Sequence, residues 1–150
     1  MSKIRFFLFF LLILSCQKDK YDVIPDVYVN VEINLNVFPI GVGEIRFFCA
    51  KDLNVNSLGY NNNGILVIRK GITDDPVSDF EAYDRTCPVC ISYGNKVVDK
   101  TVTSGIVKCS HCGTQFNLYE NGLALGKNYY LKQYNAIYNN NNNILSVINR

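Results

Sequence analysis

Cys87-Pro88-Val89-Cys90 and Cys109-Ser110-His111-Cys112 hold four of the six cysteines in the chain, with 18 residues between the two pairs. A Cys-x-x-Cys segment closes a tight turn that aims both sulfurs at one point, and two such turns can share one metal centre. One pair alone would be a weak signal. Two pairs at this spacing, with Pro88 inside the first and Gly113 just after the second, are poorly explained as ordinary buried thiols. They predict a metal site whose ligands are Cys87, Cys90, Cys109 and Cys112.

Four thiolates suit three kinds of centre. Zinc takes four sulfurs at about 2.3 Å, stays redox-silent and contributes folding energy. A 2Fe-2S cluster can also be held by four cysteines, with a potential that falls toward about −400 mV. A single iron is the third. The knuckles Cys-Pro-x-Cys and Cys-x-x-Cys-Gly resemble those of zinc ribbons and rubredoxins. Zinc is the first choice, because it needs neither a redox partner nor cluster assembly before export. A pair of redox disulfides, Cys87–Cys90 and Cys109–Cys112, suits an oxidising compartment, but such pairs sit at strand-to-helix junctions and no helix is visible. His111 has two readings: an alternative fourth ligand in place of Cys112, or an exposed residue at the rim of the site. The second is preferred, since Cys112-Gly113 completes the better knuckle. Arg85 and Lys108 flank the boxes and read as solvated charges.

No catalytic set accompanies the cysteines. The chain has one histidine, no glycine-rich phosphate loop and no Ser/His/Asp arrangement. An enzyme is therefore disfavoured, and any redox role would be that of an electron carrier.

The N-terminus predicts export. Lys3 and Arg5 precede nine apolar residues at 6–14, too few to span a bilayer of about 30 Å. The sequence Ile13-Leu14-Ser15-Cys16 resembles the lipobox of bacterial lipoproteins. This implies a signal peptide at 1–15, lipidation of Cys16 and a short tether at 16–25. The expected location is a bacterial membrane surface, the outer membrane or the cell surface, with the lipid on Cys16 as the membrane contact. The 135 residues left after cleavage suffice for one domain, at 26–150, and they carry 13 basic and 13 acidic side chains. That balance gives no electrostatic reason for a nucleic-acid partner. Cys49, within an apolar run, reads as a buried inert thiol.

The elements that must position the cysteines are strands. Residues 27–37 alternate with period two, placing Val27, Val29, Val31, Ile33, Leu35 and Val37 on one face. Further strands are predicted at 44–50, 65–69, 80–83, 115–119, 130–138 and 144–148. A hairpin is expected to join 96–103 to 105–109 around Ser104-Gly105. Turns are expected at 71–76 and at Asn121-Gly122, and the asparagine tract at 139–143 reads as a hairpin loop. No segment holds a 3.6-residue period. The fold class is all-β.

Phe80-Glu81-Ala82-Tyr83-Asp84-Arg85-Thr86-Cys87-Pro88 resembles the approach to the first ligand box of Rieske iron–sulfur domains. Gly105-Ile106-Val107-Lys108-Cys109-Ser110-His111-Cys112-Gly113-Thr114-Gln115-Phe116-Asn117 resembles their second box. Asn121-Gly122-Leu123-Ala124-Leu125-Gly126 and Leu131-Lys132-Gln133-Tyr134 follow the same course. The resemblance covers residues 60–150 and implies a Rieske-like β-sandwich with a small zinc-ribbon- or rubredoxin-like subdomain built from two loops at about 86–116. The ligands depart from that family. A Rieske centre uses two cysteines and two histidines, and a chain with one histidine cannot supply them.

Overall fold

The computed structural model describes residues 23–73, 78–93 and 97–149. The leader, Cys16 and most of the tether lie outside the described residues, as does part of the turn expected at 71–76. Among the described residues, ten strands form two antiparallel sheets: β1 (Asn30–Asn34), β2 (Ile45–Phe48), β3 (Ile65–Arg69), β4 (Phe80–Asp84), β5 (Val98–Lys100), β6 (Ile106–Cys109), β7 (Gln115–Asn117), β8 (Leu123–Ala124), β9 (Gln133–Asn139) and β10 (Ile144–Ile148). The larger sheet has the order β1-β10-β9-β4-β3-β2, and the smaller runs β5-β6-β7-β8. The small sheet is thus an insertion between two neighbouring strands of the large one. Its neck closes through Ala82 and Tyr83 paired with Tyr134 and Gln133, and through Asp84 N donating to Lys132 O at 2.8 Å. This is the sheet base with a two-loop metal subdomain that the resemblance implied.

The alternation in the first strand does what period two requires: Val29, Val31, Ile33 and Leu35 are buried in one core with Phe48, Ile65, Val67, Phe80, Ala82, Leu145 and Val147. The strand itself is shorter than the pattern. Asn34 ends it by accepting from the backbone of Val37 and Phe38, and its side chain accepts from Asn36 N at 2.9 Å. Val37 consequently lies in solvent. The asparagine tract is the expected hairpin loop. Ile144 pairs with Asn139, and the loop closes on its own side chains, with Asn141 N donating to Asn139 Oδ1.

β3 explains how the base carries the site. Its run Ile-Leu-Val-Ile is buried throughout, without alternation. Ile65 and Val67 face the first core, whereas Leu66 and Ile68 face a second one, with Ile45 and Tyr83, under the small sheet. A strand buried on both faces reads as continuous apolar sequence. Three other expectations need correction. β2 stops at Phe48, and Cys49 is exposed in a turn, where its N–H donates to Asp52 Oδ2 at 2.7 Å. β7 stops at Asn117, whose side chain caps a single 3-10 turn over Leu118–Glu120 by accepting from Tyr119 N. The last long strand begins at Gln133 rather than 130. Among the described residues the only helices are three short 3-10 segments.

Candidate metal centre

The first knuckle spans from the large sheet to the small one, and the second lies between two strands of the small sheet. The first begins where β4 delivers the chain to Thr86 and Cys87, and a 3-10 segment over Pro88–Tyr93 then turns Cys90 back, with Cys90 N donating to Cys87 O at 3.1 Å. A bridge between Thr86 and Val97 and the bond from Val98 N to Arg85 O at 2.8 Å close the base of this loop. The second knuckle starts at the end of β6. Gly113 N donates to Cys109 O and Cys109 N donates to Thr114 O, both at 2.9 Å. Gly113 has φ +72°, the left-handed conformation that reverses the chain here and that L side chains rarely adopt.

The ligand atoms of Cys87, Cys90, Cys109 and Cys112 all lie within 4.8 Å of one another. Cys87 Sγ is 3.8 Å from Cys112 Sγ, and Cys90 Sγ is 3.9 Å from Cys109 Sγ. Four sulfurs at about 2.3 Å from a tetrahedral ion stand about 3.8 Å apart, so the donor set fits such an ion. The short contacts run across the knuckles, and all four thiols are free, not disulfide-bonded. His111 is exposed and outside the cluster, its ring tilted against Tyr93 at 5.5 Å between centroids. It sits at the rim.

Burial makes the four thiols unequal. Cys87, Cys90 and Cys109 are buried, whereas Cys112 is exposed. Burial, reinforced by the neighbouring Cys109, pushes the Cys87 thiol far above its ordinary value. Burial, then the contact with Cys112, pushes Cys90 up to about 12. At Cys112 burial acts upward too, but hydrogen bonding with the Thr114 hydroxyl and backbone, together with the contacts to Cys90 and Cys109, outweighs it and brings the thiol down to about 6.

Sequence reasoning missed the residues that hold the first knuckle in place. Asp84 is fully buried at the neck, where Oδ1 accepts from Thr86 N at 2.7 Å and Oδ2 accepts from Tyr60 N at 2.6 Å and Tyr134 OH at 2.8 Å. The Thr86 hydroxyl accepts from Asn63 Nδ2 at 2.8 Å. Three segments distant in sequence thus meet one residue before Cys87. No local pattern marks Asp84, because each donor but Thr86 lies at least 24 residues away. Arg85 is not simply solvated: it pairs with Asp99 at 2.7 Å and lies over the Phe47 ring at 4.8 Å. Lys108 is exposed, as expected.

The fold and the cysteine cluster define an all-β domain with a four-cysteine metal-binding site. No family model and no curated protein matches the chain. Among solved structures, the ferredoxin of carbazole 1,9a-dioxygenase from Nocardioides aromaticivorans IC177 is similar at 14% identity and a TM-score of 0.46, over 83% of this chain and 100% of that one.

Proposed function

We propose that this protein is an exported, lipid-anchored Rieske-like domain in which Cys87, Cys90, Cys109 and Cys112 hold one structural zinc ion, and that it works as a non-catalytic binding or scaffold module. The observation that carries the metal assignment is the compact cluster of four sulfurs, with edges of 3.8 and 3.9 Å. In a two-iron cluster two cysteines sit on each iron. The pairs then flank an iron–sulfide rhomb, and sulfurs on different irons stand farther apart than those around one ion. A cluster confined to 4.8 Å speaks for one ion.

Zinc fits that ion because it tolerates a closed shell of four thiolates, and when bound it supplies a cross-link between the two loops. The three buried cysteines shield it, and the site has no open position for substrate. Anchoring rests on the basic residues, apolar run and lipobox-like Ile13-Leu14-Ser15-Cys16 at the N-terminus.

One observation favours a second reading, an electron carrier with a single iron on the same cysteines. Cys112 brings a ligand to the surface, where a redox partner could approach. Metal analysis with an absorbance spectrum separates the two. The zinc module gives one zinc per chain and a colourless protein. Coloured protein with iron in place of zinc overturns it, and the ratio of iron to sulfide distinguishes one ion from a 2Fe-2S cluster.

A further inference from the structure

The ligands are unequally guarded. Cys87, Cys90 and Cys109 are at most 1% exposed, so a competing ligand can reach an ion here only past Cys112. That edge opens on a shallow cavity of about 340 Å³ lined by Cys112, Gly113, Thr114, Gln115, Leu125 and Lys127. Thr114 is buried, and its Oγ1 lies 3.2 Å from Cys112 Sγ and 2.9 Å from Lys127 Nζ. An ammonium group only donates hydrogen bonds, so the Thr114 oxygen accepts from Lys127 and has its own hydrogen left for sulfur. A metal-bound thiolate carries no hydrogen and accepts it. Lys127 reaches Thr114 from the turn after β8, which is held by Leu125 N donating to Gln115 O at 2.8 Å and Lys127 N donating to Ala124 O at 3.2 Å. The contact therefore clamps the second knuckle from outside it.

We infer that Thr114 and Lys127 form a latch that keeps Cys112 on the ion and sets the rate at which the site releases metal. The inference rests on the single-ion reading of the four cysteines. Thr114 and Lys127 are positioning residues: neither touches the ion, and both act through Cys112.

The test follows zinc transfer from the loaded protein to excess uncharged chelating dye, which Lys127 cannot steer by charge. A hydrogen bond to a charged acceptor is worth about 1.5–3 kcal/mol, so Thr114→Val should release zinc about ten-fold faster or more. Thr114→Ser, which keeps the hydroxyl, should release it near the wild-type rate. Lys127→Met should be a few-fold faster, and Leu125→Ala, on the same cavity wall, unchanged. Cobalt loaded in place of zinc should show a four-thiolate charge-transfer spectrum in each variant. Wild-type release from Thr114→Val overturns the latch, as does equal acceleration in Leu125→Ala. If Thr114→Val fails to take up cobalt, the surface variant Lys127→Met decides, and a wild-type rate there is the overturning result. A wild-type protein that binds no single ion overturns the single-ion reading and the latch with it. Failure of the variants alone leaves that reading intact.

Discussion

Cys112 differs from its three partners in the property that governs thiol chemistry. It is exposed and its thiol is lowered to about 6, whereas Cys90 is raised to about 12 and Cys87 is raised further by burial. The thiolate is the nucleophile, so in metal-free protein at neutral pH Cys112 is ionised while Cys87 and Cys90 keep their protons. Iodoacetamide should therefore label Cys112 before Cys87 or Cys90 once zinc is chelated. Because the folded-state value is depressed, that labelling should persist down to about pH 6 and fall off below it. Mass-spectrometric mapping checks the order of labelling, and loaded protein should be protected at all four sites. Faster labelling of Cys90 than Cys112 would contradict the hydrogen-bonding assigned to Thr114. His111 was legible as a rim residue from the quality of the Cys112-Gly113 knuckle alone. Cys49 was not: it follows two phenylalanines, and only the turn closed by Asp52 puts it in solvent.

The elements divide the molecule's stability between two cores. The metal loops are poor in apolar residues of their own, so the sequence predicts loops cross-linked by the ion above an independent base. The structure modifies this. Cys87, Cys90 and Cys109 share the second core with Ile45, Leu66, Ile68 and Tyr83 of the base. Loss of the ion should thus be felt through the side of β3 that carries Leu66 and Ile68, while β1, whose buried residues belong to the first core, is insulated. Chelation should weaken amide protection in the two knuckles and Cys109→Ser should abolish it, and both should reduce it in β6. Protection at Val31 and Ile33 should remain, as hydrogen exchange resolved by residue would show. Equal loss in β1 would mean that the two cores unfold as one. The apolar run of β3 was legible as a buried strand, but not as the partition between two cores, because a run without alternation does not tell which residues face which side.

For the whole molecule, the most legible features were those that repeat locally: the alternation at 27–37, the turns rich in Asn and Gly, and two cysteine pairs. The hairpin around Ser104-Gly105 and the loop at 139–143 followed from turn chemistry and appear as β5–β6 and β9–β10. What stayed hidden was set by long-range contacts. Asp84, though inside the stretch that resembles the first ligand box, owes its role at the neck to Tyr134, 50 residues on, and Lys127 meets Thr114 from the turn after β8, 13 residues on and outside any motif. Everything proposed for the site depends on four cysteines converging on one ion. X-ray absorption at the metal edge of the purified, loaded protein tests it most directly. A single ion held by the four cysteines should appear as zinc with four sulfur neighbours at about 2.3 Å and no metal neighbour. A second metal atom in the shell, or a nitrogen from His111 replacing one sulfur, would contradict it.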